Sequence, residues 1–134
     1  MLVSETKIRV YYEDTDQMGI VYYGNYARYY EIGRTEMIRQ MGFTYKQIEE
    51  QKIALPARSL NITYIKSAYY DDLLTIRTII DTLPKVKFPI KTEIYNQHGE
   101  LINKGETVLV FFNALTNKPC AAPDFFIDKM KEFF

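Results

Sequence analysis

The strongest constraint on the fold lies between Asn25 and Gly42. There the apolar residues Tyr26, Tyr30, Met37 and Met41, with Gly33 in register between them, are separated by 4, 3, 4 and 4 residues. That spacing places side chains on one face of an α-helix. Asn25 stands where an N-cap belongs, and Gly42 where a left-handed glycine stops a helix. Gly33, inside the helix, costs about 1 kcal/mol against alanine. Close approach to a sheet is its expected compensation.

The rest of the chain reads mostly as strands. Lys7–Glu13 alternates Ile8, Val10 and Tyr12 against Lys7, Arg9 and Tyr11, the pattern of a half-buried strand. Glu13–Gly24 carries acids and two glycines and reads as a loop leading to the helix. Thr44–Glu50 resembles a short helical turn, and four strand-like runs follow at Pro56–Lys66, Leu73–Thr82, Lys85–Tyr95 and Glu100–Phe112. Asn96-Gln97-His98-Gly99 is a hairpin signal, with glycine where positive φ is needed. Short connections imply that the four strands form an antiparallel meander. A turn at Thr116–Pro119 precedes Pro123–Phe134, which reads as a short amphipathic helix. This order implies an α+β fold over residues 1–134, one domain with an antiparallel β-sheet wrapped around one long central helix.

Scarce residue types narrow the chemistry. Seventeen basic residues balance seventeen acidic ones, which argues against a nucleic-acid partner or an anionic membrane held by bulk charge. No apolar run approaches the ~18 residues of a bilayer span, so no membrane insertion is expected. Met1–Lys7 lacks the basic start and apolar core of a signal peptide, and Cys120 is the single cysteine, which fits a reducing cytoplasm. His98 is the single histidine, 22 residues from Cys120. No metal cluster and no cofactor are expected. G-x-S-x-G, P-loop and G-x-G-x-x-G patterns are absent. Hydrolysis in such a chain must rest on carboxylates, hydroxyls, backbone amides or water. The 12 tyrosines, many between Tyr11 and Tyr30, form either the wall of an amphipathic pocket or ordinary half-buried strand positions.

Two acids stand out by position. Asp14 and Asp16 follow the first strand and precede the helix. In an extended stretch, residues two apart share a side, so both carboxylates are expected to face one cavity near the positive helix end, where free N–H groups can hold an oxyanion. The plain alternative is that they cap turns in water. His98 sits among turn residues and reads as solvated, and Cys120 lies between prolines with no histidine to activate it. Glu31 and Arg34 are expected to pair along the helix. Lys85 and Lys87 flank an aromatic strand and either meet phosphates or form a solvated edge.

Val10-Tyr11-Tyr12-Glu13-Asp14-Thr15-Asp16, Gly19-Ile20-Val21-Tyr22-Tyr23-Gly24-Asn25-Tyr26 and Tyr29-Tyr30-Glu31 together resemble the signature of hotdog-fold acyl-CoA thioesterases. The likeness is to the 4-hydroxybenzoyl-CoA type, including the branch associated with the Tol-Pal system. It continues through Ser67–Ile76, Glu93–Asn96, Gly99–Leu101 and Thr116–Pro119, and so covers nearly the whole chain.

The resemblance implies a single hotdog domain and an acyl-CoA substrate. It assigns catalysis to Asp16, the second aspartate of the D-x-D pair. It assigns the oxyanion site to the backbone N–H of Tyr23, where the Tol-Pal branch usually carries histidine. Asp16 either attacks the thioester carbonyl or activates the attacking water. Tyr26 is expected at the acyl group, and Lys66, Lys85 and Lys87 at the CoA phosphates. The resemblance also implies a homo-oligomer, a dimer or a homotetramer, with sites at the subunit boundary. Two other readings compete. Hotdog hydratases rely on a histidine, and the lone His98 lies in a turn. A non-catalytic acyl-CoA-binding module usually carries a DNA-binding segment for which these residues leave no space.

Overall fold

The computed structural model describes residues 1–134. In chain order the elements are β1 (Leu2–Arg9), α1 (Tyr26–Met41), α2 (Tyr45–Glu50), β2 (Ile53–Ala54), β3 (Ala57–Tyr64), β4 (Leu73–Ile80), β5 (Lys87–Tyr95), β6 (Leu101–Val110), β7 (Phe112–Asn113), β8 (Lys118–Pro119) and α3 (Asp124–Lys131). Five strands make one antiparallel sheet in the order β1-β4-β5-β6-β3, and β2, β7 and β8 make a small second one.

α1 begins and ends where its sequence pattern places it. Tyr26, Tyr30, Gly33, Met37 and Met41 all face the interior, and Gly42 stops the helix at φ 103°. A methyl group on Gly33 would stand 2.6 Å from Ile76 Cγ2 and 2.8 Å from Thr78 Oγ1. The glycine therefore lets α1 rest on β4, which outweighs its poor helix propensity. On one side of this contact Tyr26, Tyr29 and Tyr30 pack with Val10, Leu74, Ile76 and Ile94. On the other, Met37, Ile38 and Met41 pack with Ile80, Phe88, Phe111 and Phe126. Asn25 is not a side-chain cap. Its backbone is already helical at φ −79°, ψ −13°, and its side-chain Nδ2 donates to the Asp14 carbonyl instead.

Several expectations from sequence need correction. The first strand runs from Leu2 to Arg9 and not to Glu13; the chain then closes into a 3₁₀ turn at Tyr12–Asp14, which leaves Tyr12 80% exposed. β4, β5 and β6 are a meander, but β3 does not pair with β4. β1 occupies that side of β4, and β3 pairs with β6 at the far edge. The Ile65 and Lys66 amides both donate to the Ile102 carbonyl, fastening the end of β3 to β6. Glu31 and Arg34 form no ion pair; Arg39 pairs with Glu36 on the helix instead. The hairpin at Asn96–Gly99 is as expected: the Asn96 side chain accepts from the His98 and Glu100 amides, and Gly99 takes φ 76°.

Candidate active site

Leaving β1, the chain makes two sharp turns before it enters α1. In the second, the Asp16 amide donates to the Ile20 carbonyl at 2.9 Å and the Asp16 Oδ1 accepts from the Met18 amide at 2.8 Å. One carboxylate oxygen is thus fixed by its own loop, and the other remains without a protein partner. Tyr23 then opens a 3₁₀ turn, Tyr23–Asn25, that runs directly into α1. The backbone amides of Tyr23 and Gly24 donate to no acceptor in the chain. Orphan amides at a helix start are suited to an anion.

Asp16 and Tyr23 line the same cavity, of about 390 Å³. Its apolar walls come from Val21 and Tyr26 on one side and from Tyr64 and Ile65 at the end of β3 on the other; Lys66 and Ser67 form its polar rim. The rings of Tyr26 and Tyr64 meet edge to face at 5.5 Å, and the Tyr64 hydroxyl donates to the Tyr23 carbonyl at 3.3 Å. Burial pushes the Tyr26 phenol up to about 12, with Tyr64 and Asp72 adding to the effect against a backbone hydrogen bond at Ala68. Tyr26 therefore presents an uncharged, mainly apolar ring to whatever fills the cavity. A depression of similar volume on the outer face of the sheet is lined by Lys91, Glu93, Lys104 and Glu106 and a single hydrophobic residue, Ile79. It suits water better than an acyl group.

Asp14 and Asp16 do not share a cavity. The 3₁₀ turn breaks the extended geometry that would have aligned them, and Asp14 lines a separate pocket with Arg28 and Tyr29. Of the three lysines singled out in the sequence, only Lys66 borders the cavity, and its ammonium is paired with Glu100. Lys85 and Lys87 lie at the opposite end of the sheet. Lys87 is in register with Val110, whose amide donates to the Pro56 carbonyl, and the Lys85 carbonyl accepts from Ala122. Tyr64 and Ser67 escaped sequence reasoning, because only nonlocal contacts bring them beside the Asp16 loop: the Ile20–Tyr69 bridge, the Val21 amide donating to the Ala68 carbonyl and the Tyr64 hydroxyl donating to the Tyr23 carbonyl. His98 and Cys120 lie outside the cavity.

Residues 10–130 match the family model described as the thioesterase-like superfamily. The chain belongs to that family. Among curated members, the acyl-CoA thioester hydrolase YbgC of Escherichia coli is 34% identical over 125 residues, 93% of each chain. The acyl-CoA thioesterase YbgC of Helicobacter pylori is 34% identical over 131 residues, covering 90% of this chain and 94% of that one. A solved DHNA-CoA thioesterase from Staphylococcus aureus superposes with a TM-score of 0.90 at 35% identity, covering 98% of this chain and 88% of that one. The thioesterase-like fold thus extends over both the helix and the loop that carries Asp16.

Proposed function

We propose that the chain is an acyl-CoA thioesterase that works at the cavity below the first turn of α1. The observation that carries this reading is that Asp16, with one carboxylate oxygen unengaged, lines one aromatic-walled cavity together with Tyr23, whose backbone amide has no acceptor in the chain. The acyl group lies against Tyr26 and Tyr64, with its carbonyl oxygen toward the Tyr23 amide. Negative charge then develops on that oxygen next to an N–H that needs no reorganisation to receive it.

Two routes use these groups. In one, Asp16 attacks the thioester carbon, the C–S bond breaks to release CoA thiolate, and water hydrolyses the resulting mixed anhydride. In the other, Asp16 takes a proton from water, and the water oxygen attacks the carbonyl as the thiolate leaves. A thiol with a pKa near ~8.5 leaves without strong acid assistance, so neither route requires a histidine. Lys66 at the rim is free to exchange Glu100 for a CoA phosphate, an exposed ion pair being weak.

The site is completed by a second copy. β3 is an edge strand, exposed along nearly all its length, and Arg58 is its only charge. Antiparallel pairing of β3 with its own copy sets the Tyr64 end of one chain beside the Pro56–Arg58 end of the other. Lys85 and Lys87 lie at that second end, so the second copy brings them toward the CoA phosphates. A dimer, alone or doubled into a tetramer, follows. The cytoplasm is the compartment that suits one unpaired cysteine.

The deciding experiment measures thiol release from aromatic, short-chain and long-chain acyl-CoAs with the parent and Asp16→Asn. A loss of about 10²–10⁴-fold is expected with acyl-CoA binding retained. Equal turnover rejects Asp16, and acyl-CoA binding without hydrolysis by the parent identifies a binding module. A single turnover in ¹⁸O-water identifies the nucleophilic route when water attacks the Asp16 carbonyl of the anhydride and leaves label in its carboxylate, and trapping with hydroxylamine identifies the anhydride when water attacks the substrate acyl carbon instead.

A further inference from the structure

Asp14 is a buried carboxylate, 5% exposed, that takes no part in the cavity. Its hydrogen bonds run to both sides of the site. Its Oδ2 accepts from the Tyr11 amide at 3.0 Å, which closes the turn at the end of β1. Its Oδ1 accepts from Arg28 Nη2 at 2.5 Å, and Arg28 stands on the first turn of α1. The Asp14 backbone carbonyl accepts from the Tyr22 amide at 2.9 Å and from Asn25 Nδ2 at 2.8 Å. Tyr22 immediately precedes Tyr23, and Asp14 is separated from Asp16 by Thr15 alone, which is bridged to Val21. One residue therefore ties the loop bearing the carboxylate to the turn bearing the amide, through its side chain and its main chain together.

We infer that Asp14, held by Arg28, is a positioning residue that sets the separation between the Asp16 carboxylate and the Tyr23 amide. The inference rests on the roles proposed above for those two groups. Arg28 is the variable part of the clamp. Its guanidinium grips Asp14 while its side chain remains 52% exposed, so the charge pair can be removed without opening the core. An error near 1 Å between reacting groups costs on the order of 10²-fold in rate, whereas binding of the acyl group depends on walls that Asp14 does not form.

The test compares Asp14→Asn, Arg28→Met, their double variant and Asp16→Asn on one hydrolysed acyl-CoA, with each rate referred to folded protein. Asp14→Asn and Arg28→Met are expected to lower kcat about 10- to 100-fold with KM within about twofold. The double variant should be no worse than the poorer single one, since both break the same clamp. Low, non-denaturing guanidinium should restore part of kcat to Arg28→Ala. A purely structural ion pair would lower the melting temperature of these variants and leave kcat per folded molecule at the parental value, which overturns the inference. If Asp14→Asn does not fold, Arg28→Met and the guanidinium rescue of Arg28→Ala decide. An active Asp16→Asn refutes the underlying site assignment. An inactive Asp16→Asn beside Asp14→Asn and Arg28→Met at parental kcat refutes the positioning role alone.

Discussion

Side chains in the interior of this protein answer to different demands, and Tyr30 and Asn103 show the strictest. The Tyr30 hydroxyl donates to Asn103 Oδ1, and neither residue is more than 1% exposed. Burial pushes the Tyr30 phenol well above its ordinary value, with Tyr64 and Tyr26 adding to it, so it donates as a neutral hydroxyl. Asn103 Nδ2 has no partner, which makes the carbonyl side of that amide its only bond. Tyr30→Phe should therefore destabilise by about 1–3 kcal/mol, the cost of a stranded buried acceptor. Pairing it with Asn103→Leu should return much of that loss, because two matched apolar groups need no partner. Chemical denaturation of Tyr30→Phe and of the double variant checks both statements; equal losses in the two would contradict them. Asp16 is the opposite kind of residue, half-exposed and held on one oxygen only, and its position was legible from the motif around it. The role of Asp14 was not. Its spacing from Asp16 reads as a shared face, and only the 3₁₀ turn at Tyr12–Asp14 turns it away toward Arg28.

Elements in this chain are fixed by local pattern, but their neighbours are not. The helical period and Gly42 locate α1 to the residue, and Asn96–Gly99 locates the β5–β6 hairpin. The departure of β3 from β4 to β6 has no local signature, because strand pairing depends on which edges remain open after β1 has docked. Two glycines record those pairings sterically. A Cβ on Gly33 would meet side-chain atoms of Ile76 and Thr78, whereas a Cβ on Gly105 would stand 2.0 Å from the main-chain carbonyl of Asn61 on β3. Side chains can shift by tenths of an ångström, but a paired strand yields only by breaking its ladder. Gly33→Ala should then cost about 1–2 kcal/mol, overpacking offset partly by better helix propensity. Gly105→Ala should cost more, and a smaller loss of melting temperature at Gly105 than at Gly33 would reverse this ordering. The Lys66–Glu100 contact links β6 to the cavity rim. The Lys66 hydrogen bond, helped by the Asn96 amide, holds the Glu100 carboxyl below its ordinary value. A depressed carboxyl contributes above its unfolded value and loses that contribution as pH falls through the folded one. Lys66→Met should accordingly move the Glu100 titration upward when followed by NMR; an unchanged midpoint would separate Glu100 from Lys66.

At the scale of the molecule, the two edges of the main sheet differ in kind. β1 carries Glu5, Lys7 and Arg9 along its length, charges that discourage pairing with another chain. β3 carries Arg58 alone, and Leu60, Tyr64 and Ile65 stand exposed on it or just beyond its end. A long edge with so little charge is a template for association, and an antiparallel edge meeting its own copy creates a two-fold axis near the middle of the strand. The same end of β3 supplies Tyr64 to the Asp16 cavity. Association and catalysis are thus expected to stand or fall together. Sedimentation of the parent should show no species at the 15.8 kDa of one chain at assay concentration. Leu60→Lys, which sets two like charges near the axis, should shift the population to monomer, and turnover should fall in proportion to the dimer lost. A monomer with full turnover would break the link between the β3 edge and the site.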